Sequence, residues 1–180
     1  SSLRRFHPLD LLRLNLVNLH ALTETHDASF SVRYLAKWST LMSVMESSQG
    51  NIIGYVMGKA EGTSKDWHGW VTTLTAAPDN CRLGLAKTMM DEVEHVATSV
   101  YNGNSVDLSV RISNEIAIGM YKGMGYLAYP TVMEYYSASG GGGGGDEGAY
   151  GMRKPMRRDK HRKSVGENGR EVRVLSHEVW

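Results

Sequence analysis

Residues 78–87, Pro78-Asp-Asn-Cys-Arg-Leu-Gly-Leu-Ala-Lys87, connect a strand-like stretch to a helix-like one. A helix start presents backbone N–H groups that lack intrahelical partners, together with the positive end of the helix dipole. Small residues there, Gly84 and Ala86, let an anion approach the main chain, so the turn can cradle a phosphate or pyrophosphate. It is neither the G-x-G-x-x-G dinucleotide fingerprint nor a P-loop, because no Lys-Ser/Thr pair follows. An ordinary strand–turn–helix with small residues for packing explains the same letters, and both readings stay open. Two further places can carry chemistry. The polar break Thr23-Glu-Thr-His-Asp27 is a loop, and loops carry sites; it holds Glu24 and His26. In residues 67–76, strand alternation puts His68, Trp70 and Thr72 on one face and residues 69, 71 and 73 on the other. The single cysteine, Cys81, excludes an intramolecular disulfide and a cysteine-based zinc site, and no metal is expected.

These segments must be held by a larger frame. Residues 3–6 alternate as a short strand. Leucines from Leu9 to Leu22 are denser than one helical stripe needs, and residues 30–38 form a second amphipathic helix. Residues 51–59 and 67–76 read as strands, the second ending in the turn signal Ala77-Pro-Asp-Asn80. Leu85, Met89, Met90, Val93 and Val96 mark one side of a long helix. Residues 105–112 read as a strand, 114–123 as a helix stopped at Gly123 and Gly125, and 126–136 as the last strand. This order predicts an α/β protein with a mixed, mostly antiparallel sheet flanked by helices. The folded domain is drawn at 1–136. Residues 137–148, with six consecutive glycines, read as a linker, and 149–180 as a basic extension.

The bulk properties fit. A chain of 180 residues with 41% apolar and 22% charged residues has the composition of one globular domain. Its apolar runs are far shorter than the roughly 18 residues of a membrane span, so no membrane partner is expected. The lone cysteine and the lack of an apolar leader point to a reducing, cytoplasmic setting. The net charge of +1 hides an asymmetry: residues 151–180 hold nine Lys/Arg and four Asp/Glu, and the other 150 hold eleven and fifteen. An acidic body with a basic tail suggests a partner surface for the tail.

The 78–87 turn resembles the acetyl-CoA signature of the GNAT N-acetyltransferases, Arg/Gln-x-x-Gly-x-Gly/Ala, with Gly84 and Ala86 at its small positions. Cys81 falls at the first position and Arg82 one place later, which weakens one contact but leaves the main-chain cradle. More of the chain resembles the catalytic subunits of NatB-type N-terminal acetyltransferases: Leu22-Thr-Glu-Thr25, Tyr34-Leu-Ala-Lys-Trp38, Gly54-Tyr-Val-Met-Gly-Lys59, Trp67-His-Gly69, residues 106–114, Met120-Tyr121, Gly125-Tyr126, Glu134-Tyr-Tyr-Ser-Ala-Ser139 and Ala149-Tyr-Gly-Met-Arg-Lys154. Together and in order these blocks are specific.

That resemblance implies transfer of acetyl from acetyl-CoA to the α-amino group of nascent polypeptides beginning Met-Asp, Met-Glu, Met-Asn or Met-Gln. It implies a large helical-repeat auxiliary subunit, and the ribosome reached through it. Leu74, Thr75 and Ala76 end the strand whose main chain polarises the thioester. Arg82, Leu83, Gly84, Leu85, Ala86 and Lys87 hold the pyrophosphate, and Asn114 contacts CoA. Tyr121 matches the group that protonates the departing thiolate, a role suited to a phenol; packing on the sheet is its other reading. Glu24 lines the peptide groove and serves the amine, and Tyr135 and Tyr136 close over the peptide, with Tyr136 favoured. His68 is a candidate for reading the second residue, although a strand histidine is commonly structural, and Thr72 on the same face is a further substrate-binding candidate.

Three departures fall at the peptide groove. His26 stands where the family has Tyr or Phe, Trp70 replaces the second histidine of Trp-His-x-His, and Ser109 replaces a common Phe. Two alternatives therefore remain: a GNAT enzyme with another peptide or amine acceptor, and a non-catalytic acyl-CoA-binding subunit. For the tail, intramolecular or subunit contact is expected ahead of direct nucleic-acid binding.

Overall fold

Apolar patterning accounts for most elements of the computed structural model, which describes residues 1–14, 17–18, 26–63, 66–136, 147–165 and 173–175, the last three and 129–136 and 147 by their backbone alone. Two units, Ser1–Gly103 and Asn104–Trp180, divide the chain.

In the first unit, β1 (Ser2–Arg5), β2 (Met42–Glu46), β3 (Ile52–Glu61) and β4 (His68–Ala76) pair antiparallel in sequence order. Helix α1 (Ala28–Trp38) is capped by Asp27, whose carboxylate accepts from Phe30 N at 2.6 Å, and packs on β3. Helix α2 (Leu85–Ser99) buries Leu85, Met89, Met90, Val93, Val96 and Ala97, an i, i+4 stripe that packs on β2, β3 and β4. At Gly54 the helix comes so near that a Cβ would stand 3.1 Å from Met89 Cε and from the Thr75 carbonyl. The core on the α1 side gathers Phe6, Leu14, Val17, Met42, Val44, Ile52, Tyr55 and Met57. Burial pushes the Tyr55 phenol up to about 12, and its O–H donates to Asn18 Oδ1 at 2.9 Å.

Strand β2 has no counterpart in the sequence reading. Its first four residues are all buried, so no alternation marks it, and two of its five residues are methionines without β-branching. The leucine-rich segment also differs. Its described start is a 3-10 turn, Pro8–Arg13, closed by a capping box in which His7 Nδ1 accepts from Leu9 N and Asp10 accepts from His7 N. Arg4 grips Asp10 bidentately at 2.7 and 2.9 Å, fastening the turn to β1.

In the second unit, β5 (Ser105–Arg111), α3 (Glu115–Gly123), β6 (Leu127–Tyr136), β7 (Glu147–Pro155) and β8 (Arg173–Leu175) follow in the chain, and the strand order is β5-β7-β6-β8. Strand β8 pairs with β6 in parallel, whereas β5–β7 and β6–β7 are antiparallel. Strand β7 corrects the domain boundary. Residues 149–155, assigned to the basic extension, lie between β5 and β6 with Ala149 and Met152 buried. The charge of Arg153 and Lys154 concealed that strand, yet Arg153 lies opposite Asp107 and grips its carboxylate with Nε at 2.8 and 2.9 Å. Such a pair lets a charge sit inside a sheet. Of the expected linker, 137–146 lie outside the described residues. Among the described residues no helix is long and apolar enough to cross a membrane.

Candidate active site

The first unit carries the 78–87 turn. Strand β4 ends at Ala76, Ala77 N donates to the Ile53 carbonyl at 2.9 Å, and Pro78–Asn80 make one 3-10 turn. The chain then passes through left-handed conformations at Arg82 (φ 64°) and Gly84 (φ 76°) before α2 begins. A Cβ on Gly84 would meet nothing within 4 Å, so the glycine serves backbone conformation and open space. No side chain caps the helix start, and its first turn holds no acidic residue. Leu85, Ala86 and Lys87 thus present the N–H groups of an uncapped helix start, a fit for a pyrophosphate. Leu85 is buried, Leu83 is exposed, and Lys87 Nζ pairs with Asp91 at 2.6 Å. Cys81 is exposed, with Sγ 3.7 Å from the Ala77 carbonyl.

Leu74, Thr75 and Ala76 lie directly upstream, with Thr75 opposite Tyr55 and Ala76 opposite Gly54 on β3. Strand N–H groups alternate sides, so part of this segment's main chain is directed away from β3.

His26, Thr72 and their neighbours form a second cluster. His26 stacks on Phe30 at 4.3 Å, Phe30 on Tyr34 at 4.4 Å, and Tyr34 lies 4.9 Å from Trp38. Thr72 Oγ1 donates to the Tyr34 hydroxyl at 3.0 Å, and Thr73 Oγ1 lies 3.0 Å from His26 Nε2. Strict alternation assigns residues 72 and 73 to opposite faces, yet both reach the same aromatic row. The cause is a β-bulge: Met57 pairs with Thr73 and Gly58 with Val71, leaving Thr72 as the extra residue. Sequence reasoning therefore missed Thr73, Phe30 and Tyr34 as site neighbours. The signal was an aromatic ring every fourth residue from His26 to Trp38, which stacks along one helix face.

His68 and Trp70 lie further along β4. His68 Nδ1 is 2.9 Å from the Asp66 carbonyl and Nε2 is 3.8 Å from Glu61, so its ring is tied to the end of the β3–β4 hairpin. Trp70 lies cross-strand from Lys59, whose Nζ is 5.8 Å from the ring centroid and 2.6 Å from Glu61. Glu24 lies outside the described residues.

In the second unit, Asn114 caps α3, its Oδ1 accepting from Ala117 N at 3.1 Å. Tyr121 on the same helix is 8% exposed and meets Tyr126 edge-on at 5.7 Å. Tyr135 and Tyr136 belong to β6, with Tyr136 opposite Glu147, but their side chains are not described.

Strand, glycine turn, uncapped helix and the flanking antiparallel strands are the parts of an acyl-CoA-binding fold. Residues 14–126 match the profile of the Acetyltransferase (GNAT) family, and the chain belongs to it. A curated relative, the N-terminal acetyltransferase B complex catalytic subunit naa20 of Schizosaccharomyces pombe, is 49% identical over 168 residues, 92% of this chain and 91% of that protein. The crystal structure of Chaetomium thermophilum Naa20 in complex with a bisubstrate analogue superposes with a TM-score of 0.92 at 39% identity, covering all of both chains. A NatB acetyltransferase complex bound to a bisubstrate inhibitor matches with a TM-score of 0.86 at 33% identity, covering 100% and 99%. Within the GNAT family the chain is an N-terminal acetyltransferase of the NatB catalytic-subunit type.

Proposed function

We propose that this chain, with a helical-repeat auxiliary subunit, transfers acetyl from acetyl-CoA to the α-amino group of nascent proteins beginning Met-Asp, Met-Glu, Met-Asn or Met-Gln. The setting is the cytoplasm, and the ribosome is reached through the auxiliary subunit. The observation that carries the reading is the uncapped, acid-free start of α2 behind Gly84, placed one turn after the end of β4.

An α-amino group has an ordinary pKa near 7.7–8.0, so only modest base assistance is required. Glu24 orients the water that takes the amine proton. Main-chain N–H groups of Leu74–Ala76 stabilise negative charge on the thioester oxygen. The amine nitrogen forms the new C–N bond, the C–S bond breaks, and Tyr121 gives its phenolic proton to the departing sulfur. Arg82 and the amides of 83–87 hold the pyrophosphate, and Asn114 contacts CoA. Tyr135 and Tyr136 cover the peptide. His26 and the Thr72–Thr73 bulge line its first residue, and His68 and Trp70 stand toward its second.

CoA release is the test, with acceptor peptides starting Met-Asp, Met-Asn, Met-Leu and Ser-Glu and a lysine peptide with a blocked N-terminus. Turnover confined to the first two is expected. Turnover on another acceptor would move the reading to a GNAT enzyme of different specificity, a shift for which His26 and Trp70 give the reason. Acetyl-CoA binding without any turnover would move it to a non-catalytic subunit.

A further inference from the structure

Residues 156–165 follow β7 as a constructed loop. Asp159 N donates to the Met156 carbonyl at 3.0 Å, Arg162 N to the Asp159 carbonyl at 3.0 Å, and Val165 N to the Arg162 carbonyl at 3.1 Å, so three turns follow one another. Both ends are fastened: Met156 N donates to the Asn104 carbonyl, and Arg153 Nη1, from the guanidinium held on Asp107, donates to the Ser164 carbonyl, each at 2.8 Å. Arg162 has φ 51°, which reverses the chain at the third turn.

Arg157, Arg158, Lys160, His161, Arg162 and Lys163 are all exposed. Residues 157–163 hold five Lys/Arg and one Asp, 5 − 1 = +4 with histidine neutral. The one carboxylate is turned inward, Asp159 Oδ1 accepting from Lys163 N at 2.8 Å and Oδ2 from Ser164 N at 2.7 Å. The acid builds the loop while the cations face solvent. Burial raises the Asp159 carboxyl, but its hydrogen bonds outweigh that and hold it below the ordinary carboxylate range, so it stays an acceptor.

We propose that this basic loop docks on the backbone phosphates of RNA, contacted by this chain directly. The family resemblance favours intramolecular or subunit contact for the tail; the loop's geometry changes the balance. No aromatic or large aliphatic residue lies between 157 and 164 to anchor the core of a protein interface, or to enter a bilayer. What remains suits a charge contact that is independent of sequence, and arginine's planar fork matches phosphate oxygens. A preformed loop gains most from a preformed array, which duplex phosphates supply and flexible acidic peptides do not. RNA is assigned rather than DNA because free protein N-termini are supplied by translation, and in that respect alone the assignment rests on the proposed function.

The test is anisotropy of a labelled RNA duplex of about 16 base pairs with the full chain, against DNA of equal length and polyglutamate of equal charge. With about three phosphates engaged, RNA affinity falls about 40-fold between roughly 50 and 200 mM salt. The pair Lys160→Ala and Lys163→Ala lowers the magnitude of the salt slope by about 2 and leaves turnover on free peptides unchanged. Asp159→Ala weakens binding although it makes the loop more positive. No binding at low salt, an unaltered slope in the lysine pair, or tighter binding by Asp159→Ala would overturn the proposal. So would displacement of RNA by polyglutamate at matched charge; DNA, which offers the same backbone phosphates, is expected to bind comparably. Because peptide acetylation is read separately, a failure here leaves the enzymatic reading standing.

Discussion

Tyr121 supports a sharp test, because its ring and its hydroxyl have separable duties. The ring packs edge-on against Tyr126, which phenylalanine preserves. Tyr121→Phe is expected to retain the melting temperature and both KM values while kcat falls about 100-fold, the scale of general-acid assistance; full turnover would remove the assignment. At Gly84 the demand is conformational, since alanine has room but not an easy φ of 76°. Gly84→Ala costs about 1–2 kcal/mol in that region, so KM for acetyl-CoA should rise about ten-fold with little change for the peptide. Thr73→Val removes the hydroxyl beside His26 at constant shape. A lost hydrogen bond of about 1 kcal/mol lowers kcat/KM for the peptide about five-fold, with KM for acetyl-CoA unaltered. Thr73 was hidden from sequence reading because one bulge residue changes where its neighbours point. The 78–87 turn was legible because every determinant of an uncapped helix start lies within ten residues.

Among elements, the strand–turn–helix grammar identified α1, β3, β4, β5 and α3 to within two residues at each end, and α2 by its apolar stripe. It failed where burial erases alternation, as in β2, and where charge masks a strand, as in β7. A lysine–arginine pair reads as surface unless the opposing aspartate is known, and Asp107 lies 46 positions away. The 3-10 turn at Pro8–Arg13 makes a prediction at this scale. Asp10 is 3% exposed, and its hydrogen bonds from Arg4 hold the carboxyl below the ordinary range, outweighing the opposing effect of burial. A carboxyl lowered on folding stabilises above its unfolded pKa of about 3.9 and loses that contribution as pH falls through the lower folded value. Asp10→Asn should destabilise by about 2 kcal/mol at neutral pH, discounted because Arg4 is partly exposed. Its melting temperature should converge on that of the parent in acid, and a gap that persists at low pH would refute the linkage.

For the whole molecule, the division into two units sets where a defect is felt. Asp107→Ala strands the Arg153 guanidinium between strands and should cost about 3 kcal/mol. Hydrogen exchange should then quicken in β5 and β7 and stay slow in β2 and β3; uniform loosening would contradict the division. The placing of β7 also bears on biosynthesis. Strands β5 and β6 each pair with β7, so the sheet of the second unit cannot close until Pro155 has been made. The first unit is complete at Gly103, 155 − 103 = 52 residues earlier. The edge of β5 is made by Arg111 and waits 155 − 111 = 44 residues, roughly 2–9 s at about 5–20 residues per second, before β7 is there to pair with it. In this chain the timetable of translation therefore opens a window for misassembly, and a chaperone or an early-binding partner would find its opportunity there.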